Sequence, residues 1–328
     1  MSYMHDVTLA LDVGGTKIAY GLVADTNPRE AIAVDSLPSQ PAGGAILDQI
    51  ATAVRRGLAN AEEAGLTVVR VGAGLPGVVR APLGEIVHNG PTIPGWSGSD
   101  VRGTITDQLP QPLPIAIHND VRVWAYGEHR LGAGQRLKGR VLYISLGTGV
   151  GGAIIDDGVL LDGPTGSAGE VSEIVCADLR GIADRAENIA SGNSLARYYN
   201  RLHEVPREQW LSLGRLEWSD PRPGDKRLPE VIDDPLTREI IDGNLRGLGR
   251  SIGALSSALD LSGVVLGGGV VGIGELVTAP LVAGIREACL VPQRDMPIVP
   301  SSELAHSPLL GAAALARDLA VTIPSTSN

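Results

Sequence analysis

The sequence is poor in several residue types, and each scarcity narrows what the protein can be. Its 328 residues include two cysteines, Cys176 and Cys289, and no phenylalanine. Two isolated cysteines provide neither a disulfide framework nor a cysteine-type zinc site. No apolar stretch has the length of a signal peptide or of a membrane span. We therefore expect a cytoplasmic protein with no membrane partner.

Basic residues are also fewer than acidic ones. The chain has 27 lysines and arginines against 37 aspartates and glutamates, which gives a formal net charge of −10. Such a charge opposes binding to nucleic acids and to anionic membranes. The length is sufficient for two domains that each bury a core of their own.

Lysine is rare, and its positions exclude one class of phosphate loop. Lys17, Lys138 and Lys226 are the only lysines, and none completes a G-x-x-x-x-G-K-[ST] motif. Lys17 instead ends a different glycine turn, between the apolar runs 7–11 and 18–23. The pattern predicts a β-hairpin whose turn contains Asp12, Gly14, Gly15, Thr16 and Lys17. Bare glycine backbone can approach a phosphate, and Asp12 is suited to bind Mg²⁺ directly or through water. An ordinary Gly-Gly hairpin remains the alternative.

A second turn of the same kind occurs in residues 141–155, where Gly147, Thr148 and Gly149 separate two apolar runs. The glycine spacing also satisfies G-x-G-x-x-G, but that fingerprint requires a following helix. Residues 153–161 read instead as a strand with a turn at 156–158. The sequence therefore predicts a second phosphate-type hairpin and no Rossmann motif.

A third glycine cluster, Gly267, Gly268 and Gly269, follows a short apolar run. These glycines either permit a sharp exit from a strand or clear space for a flat ring, and taken alone the pattern favours the first interpretation. Three such turns along the chain fit one nucleotide that is held between two halves.

The remaining pattern predicts an α/β protein. Helices are expected at 45–64, 121–131, 186–199, 235–260 and 308–320, and strands at 68–74 and 114–118. Residues 80–100 are interpreted as a polar loop and 200–230, with Trp210 and Trp218, as a surface insertion. Strands precede helices in each half, which indicates a duplicated architecture.

Together these motifs resemble the ROK family of sugar kinases (repressors, open reading frames and kinases), within the actin-like ATPase superfold. The resemblance covers nearly the whole chain. The two hairpin turns match its phosphate loops, and residues 74–77 and 89–96, including Asn89, match its sugar-contact region. Asn119 and Asp120 match its catalytic pair. Glu170 and Glu187 match its two sugar-binding glutamates.

The resemblance implies a duplicated, ribonuclease H-like fold with a nucleotide and sugar cleft between two domains. We expect one domain from residues 1–118 plus 308–328 and the other from 119–307. The implied cofactors are ATP and Mg²⁺, the substrate is a small sugar, and the assembly is a homodimer. Asp120 would remove the proton from the substrate's primary hydroxyl, while Asn89, Asn119, Glu170 and Glu187 would bind the sugar. For Asn119-Asp120 the alternative is a helix N-cap, and Asp120 is able to serve both roles.

The chain departs from the family where a structural zinc is usually bound. Glu173 stands at the family's histidine position, and Asp178, Arg180 and Arg185 stand at its cysteine positions. A Zn²⁺ there would lack its thiolates, so we expect no zinc site. Ion pairs among these side chains can hold the loop instead, although exposed pairs contribute only about 0–1 kcal/mol each.

Glu173 bears on the substrate, because the family's histidine also contacts the sugar. Three carboxylates in one pocket repel one another, and a cationic substrate would relieve that repulsion. This favours an amino sugar such as kanosamine, or a C7-cyclitol, as in the kinases of antibiotic biosynthesis that this branch resembles. The alternative is that Glu173 turns outward and pairs with Arg180 or Arg185.

Two functions from other classes are also considered. The same family contains sugar-responsive repressors, which carry a helix-turn-helix domain ahead of the first phosphate loop. Six residues precede Val7 here and the charge is acidic, so a repressor is not expected. A sugar-binding pseudokinase is opposed by the presence of Asp12, Thr16, Asp120 and Thr148.

Overall fold

The computed structural model describes residues 5–41, 44–81, 83–89, 93–216, 221–302 and 304–322. Its strands are β1 Asp6–Val13, β2 Lys17–Ala24, β3 Ala31–Pro38, β4 Thr67–Leu75, β5 Val78–Arg80, β6 Glu85–His88, β7 Ile115–Asn119, β8 Arg140–Leu146, β9 Val150–Asp156, β10 Val159–Leu160, β11 Val175–Ala177, β12 Ala183–Arg185, β13 Gly263–Gly267 and β14 Ile298–Pro300. Its α-helices are α1 Ile46–Glu63, α2 Val101–Thr106, α3 Asp120–Leu131, α4 Ala186–Ala190, α5 Gly192–Leu202, α6 Leu228–Val231, α7 Pro235–Leu259, α8 Glu275–Ala288 and α9 Ser307–Thr322. Within the described ranges, no helix is long and apolar enough to span a membrane.

The chain divides into two compact units. The first comprises the described residues of Met1–Arg136, Leu160–Ala168 and Ser302–Asn328, and the second those of Leu137–Val159 and Gly169–Ser301. The predicted boundary before residue 119 differs from this division, because α3 packs against α9 and lies in the first unit.

The first unit is built on a sheet of strand order β3-β2-β1-β4-β7. The predicted hairpin is present, because β1 and β2 pair antiparallel with Val13 opposite Ile18. Strands β1, β4 and β7 run parallel, so their carboxyl ends meet at one edge of the sheet. The apolar face predicted for α1 is confirmed, and its buried residues Ile50 and Val54 pack into the core below this sheet.

The second unit repeats this topology, with strand order β10-β9-β8-β13-β14. Strands β8 and β9 form the second predicted hairpin, with Leu146 opposite Val150, and β13 runs parallel to both β8 and β14. The turn at Asp157 has the positive φ of 45° that a tight hairpin requires. Each unit therefore has an antiparallel hairpin at one side and parallel strands at the other, which confirms the predicted duplicated α/β fold.

Three sequence-based assignments require correction. The helix expected at 186–199 is two helices, because Ser191 has extended backbone and its hydroxyl caps α5 by accepting from the Ser194 N–H. The region 80–100 contains β6 and a buried Trp96 rather than only polar loop, although Gly90 and Pro91 lie outside the described residues. The segment 200–230 includes the buried Trp210 and contributes to a cavity described below, while Trp218 also lies outside the described residues.

Candidate functional site

The first phosphate-type turn lies at the carboxyl end of β1. Its backbone is closed by a hydrogen bond from Gly14 N to Lys17 O at 2.9 Å. Ser39 and Gln40 hold the turn from outside, because their side chains donate to Gly14 O and Gly15 O. Thr16 and Lys17 are exposed. Burial raises the pKa of the Asp12 carboxyl, and the charge of Lys17 partly offsets this.

The second turn is tied to the start of a helix. Gly147 N donates to Gly149 O at 2.9 Å, and Gly147 O accepts from Gly192 N at 2.8 Å. The first amide of α5 is thus used to fix the turn, while Thr148 remains exposed. This arrangement makes α5 an extension of the phosphate-type loop.

The third glycine cluster lies at a sharp strand exit, the first of the two interpretations given for it. Gly268 has a φ of +92°, and a Cβ there would lie 2.3 Å from Leu146 O, so only glycine fits this strand exit. Gly269 has open space where its Cβ would be, and it lines a cavity.

That cavity, of about 610 Å³, lies within the second unit. Its lining is formed by the second and third glycine clusters, one face of α5, and the segment that leads into α6 together with the start of that helix. The lining residues are Gly147, Thr148, Gly192, Asn193, Ala196, Arg197, Asn200, Arg201, Pro221, Asp225, Lys226, Arg227, Leu228, Pro229, Gly269, Val270 and Ile273. Glycine backbone at one end and apolar side chains with several cations elsewhere suit a phosphorylated ligand with a flat apolar part.

The far wall of the cavity is formed by residues 221–229, which we call the wall segment. Asn200 binds its backbone twice, donating to Lys226 O at 2.8 Å and accepting from Lys226 N at 2.9 Å. Arg201 makes a two-pronged ion pair with Asp225 at 3.0 and 3.1 Å. The surface insertion predicted from composition is therefore, in this part, a wall fixed to α5.

The predicted catalytic pair stands where β7 passes into α3. Asn119 is the N-cap, because its Oδ1 accepts from Arg122 N at 3.1 Å, and its Nδ2 donates to Gly77 O at 2.9 Å. Asp120 is the first helical residue, and its Oδ1 accepts from Val121 N at 2.8 Å and from Asn119 Nδ2 at 3.0 Å. Asn119, rather than Asp120, caps α3. The Asp120 carboxylate is held by two hydrogen bonds but does not serve as the helix cap.

Next to this corner lies a polar contact that no sequence motif indicates. His118 is buried, and its Nδ1 accepts from the Asn119 N–H at 2.8 Å. In the neutral ring the proton is therefore on Nε2, which donates to Asp162 Oδ1 at 2.6 Å. The fully buried Arg122 donates to Ala168 O at 2.8 Å. Both side chains thus bind the 160–168 segment, which leads directly to Gly169 and Glu170.

In the predicted sugar-contact region of the first unit, Asn89 and Trp96 each donate a hydrogen bond from the side chain. Asn89 Nδ2 donates to Ile93 O at 2.9 Å, and the buried Trp96 donates from its indole nitrogen to Pro76 O at 2.9 Å. The 74–77 and 89–96 motifs are therefore joined through Trp96.

The three candidate glutamates lie in the second unit and have different surroundings. Glu170 precedes a single 3-10 turn, Val171–Glu173. Glu173 is 60% exposed and pairs with Arg185 at 3.0 Å, as in the alternative that the sequence left open. Glu187 Oε2 accepts from Val150 N at 2.6 Å, directly after the second glycine turn. Burial raises the pKa of Glu187, and the charge of Glu173 adds to this while that of Arg185 opposes it.

The zinc-loop positions hold a buried ion pair. Arg180 Nη2 lies 2.6 Å from Asp178 Oδ2, and both side chains are almost fully buried. The hydroxyl of Tyr198, on α5, donates to the same carboxylate oxygen at 2.9 Å, and Arg180 Nη1 donates to Trp210 O. The loop is thus joined to α5 by hydrogen bonds. In the described part of the chain, no cluster of three or more metal-binding side chains occurs.

Comparison with known proteins assigns this arrangement to a family. The model of the ROK family matches residues 8–319. A glucokinase of Streptomyces coelicolor is 29% identical over 323 residues, which are 95% of this chain and 98% of the relative. A kanosamine kinase of Amycolatopsis mediterranei is 26% identical over 317 residues, which are 94% of this chain and 95% of the relative.

A solved structure agrees with these relatives. The ROK family glucokinase from Streptomyces griseus, determined in complex with glucose and AMPPNP, is 29% identical and has a TM-score of 0.72. The match covers 95% of this chain and 99% of that one. The resemblance inferred from the motifs is confirmed: the chain belongs to the ROK family and is an ATP-dependent sugar kinase with the actin-like ATPase fold.

Proposed function

We propose that the protein transfers the γ-phosphoryl group of ATP to the primary hydroxyl of a hexose or hexose-like sugar, with Asp120 as general base. The observation that carries the proposal is the strand-to-helix corner. Two hydrogen bonds to Oδ1, from Val121 N and Asn119 Nδ2, orient this carboxylate at the sheet edge. Phosphoryl transfer needs mainly positioning and charge stabilisation, so one oriented base suffices on the acceptor side.

The cavity of the second unit is proposed to hold ATP. Gly147, Thr148 and Gly269 supply backbone that phosphates can approach, while Val270 and Ile273 supply apolar surface for a base.

In the first turn, the residue types fit Mg²⁺. Asp12 offers a hard oxygen ligand whose burial disfavours its charge, and a divalent cation would compensate that cost. Bound Mg²⁺ would neutralise charge on the phosphates. Gly14, Gly15, Thr16 and Lys17 are proposed to act on nucleotide phosphates.

The sugar is proposed to bind to Asn89, Asn119, Glu170 and Glu187. Paired amides and carboxylates are suited to neighbouring hydroxyl groups, because they donate and accept at fixed spacing. The pair of Glu173 with Arg185 bears on the sugar's charge. Since the guanidinium offsets the third carboxylate, a neutral hexose such as glucose is the acceptor that this balance favours.

An amino-hexose is the second candidate. The similarity to a kanosamine kinase over 94% of the chain supports it, as does the presence of Glu173 near Glu187. A C7-cyclitol shares the relevant hydroxyl pattern and is tested alongside.

One assay separates these acceptors. ATP consumption is measured with glucose, mannose, N-acetylated hexosamines, glucosamine, kanosamine and C7-cyclitols, and kcat/KM is compared. We expect glucose to lead in the wild type. Arg185→Gln should shift the ratio toward the amino sugars and Glu173→Gln should shift it away, because only the net charge beside Glu187 changes. Arg246→Gln, which breaks an exposed ion pair with Glu287, is the matched control. If none of these acceptors supports ATP consumption, the proposed function is refuted.

A further inference from the structure

Arg197 is a buried cation that lines the cavity and that the assignments above leave without a role. Its exposed fraction is 7%, and it lies on α5. Its Nη2 donates to Asn188 O at 2.7 Å and to Ser194 Oγ at 3.2 Å. Its Nε has no hydrogen-bond partner among the described residues. The Nε is enclosed, so a ligand in the cavity would meet Nη1, which likewise makes no hydrogen bond within the described residues and is able to donate to an acceptor.

Arg197 also has no ion-pair partner, although the charges of Asp184 and Glu187 act on it from a longer distance. Over the described ranges, no carboxylate lies within ion-pair distance of it, whereas Arg201, one helical turn further, is paired with Asp225. Burial lowers the pKa of Arg197, which expresses the cost of its charge in this environment. A guanidinium nevertheless stays protonated at neutral pH, so a bound anion would recover part of that cost.

The position of Arg197 along α5 indicates which phosphate of a nucleotide it would contact. Gly192 contacts the second glycine turn, and Arg197 follows five residues later, about 7.5 Å along the helix axis. Asn200 and Arg201 then hold the wall segment. Arg197 thus lies between the end of the cavity with the phosphate-type loop and the far wall.

We propose that Arg197 binds the phosphate attached to the nucleoside of the phosphoryl donor, and thereby makes the cavity selective for nucleoside phosphates over the uncharged nucleoside. The inference rests on the proposed binding of ATP in this cavity. Its alternative is a purely structural role, in which Arg197 only holds Asn188 and Ser194 in place.

The experiment compares AMP with adenosine, two ligands that differ by this phosphate. Binding to the full chain is measured by calorimetry, with ATP as a reference ligand. The wild type should prefer AMP to adenosine by about 10- to 100-fold, the range of a charge-assisted hydrogen bond. Arg197→Met should remove most of that preference while adenosine affinity is retained. Arg197→Lys keeps the charge and should restore part of it. Arg246→Met, on α7 and not among the residues that line the cavity, is the matched control, and this variant should keep the preference for AMP.

The outcomes separate the inference from the proposal on which it rests. If Arg197→Met weakens AMP and adenosine by the same factor, or leaves both unchanged, the inference is overturned and the cavity still binds nucleotides. If Arg197→Met does not fold, Arg197→Lys decides between the two roles. Loss of both the preference for AMP and the affinity for adenosine in this variant overturns the inference in favour of the structural role. A wild type that binds none of the three ligands would overturn both.

Discussion

Replacing Asp120 by asparagine tests the general base with little disturbance of the fold. The amide oxygen of the new side chain can accept the two hydrogen bonds that Oδ1 now receives from Val121 N and Asn119 Nδ2. The cap of α3 stays with Asn119, so the helix keeps its start. The carboxylate that accepts a proton is lost. A general base contributes about 10²- to 10⁴-fold, which corresponds to about 2.7–5.4 kcal/mol in the barrier.

Single-turnover and steady-state kinetics with ATP and the best acceptor measure this effect. We expect kcat to fall by at least about 10²-fold with the Kd for ATP and the Tm nearly unchanged. Asp100→Asn is the matched control, because Asp100 caps α2 by accepting from Gly103 N and an asparagine there is an equally good cap. Near wild-type turnover of the Asp120 variant, or an equal loss in the Asp100 variant, would remove Asp120 from the role of base.

Three further predictions concern the second unit. Gly269→Val should raise the KM for ATP by about 5- to 100-fold at unchanged Tm, since its side chain would enter open cavity space. Gly272→Val, also in open space but not among the residues that line the cavity, should leave the KM unaltered, and the same rise in both variants would show that the nucleotide has been placed wrongly. Burial raises the pKa of Glu187 above its ordinary 4.5, so the native state binds this proton more tightly than the unfolded chain does. The contribution of Glu187 to stability therefore falls as pH rises through 4.5 toward its higher folded pKa. In urea unfolding from about pH 4 to about pH 7, Glu187→Gln should lose less stability than the wild type, and an equal or greater loss contradicts this. Arg180→Met should lower the free energy of unfolding by about 3 kcal/mol, because it leaves Asp178 buried without its cation, and a loss below about 1 kcal/mol would show that packing alone holds the loop.

The elements that could be predicted from the sequence are those encoded locally. The hairpins around Gly14 and Gly147 follow from glycine turns between apolar runs, and the duplicated topology follows from finding two of them. The long helix Pro235–Leu259 follows the N-cap Asp234, whose side chain accepts a hydrogen bond from Leu236 N. This helix start is encoded by residues that are neighbours in the sequence.

The features that the sequence did not reveal depend on residues far apart in the chain. The wall segment reads as a polar surface insertion, and only the contacts of Asn200 and Arg201 make it a cavity wall. His118 and Asp162 are 44 positions apart, and no local pattern indicates their contact. The choice between Asn119 and Asp120 as the helix cap depends on backbone geometry, since both residue types are good caps.

The first unit is assembled from elements at both ends of the chain, and this has a consequence for its folding during synthesis. Helix α9 is the last described element, yet it packs against β1, β4 and α3, which all end by Leu131. The fit is close, because a Cβ on Gly72 of β4 would lie 2.1 Å from Ala312 O. The second unit must therefore be synthesised in full before α9 can cover the sheet that contains β1 and β4. We expect the N-terminal unit to be the part of the nascent chain that depends on chaperones, even though it is synthesised first.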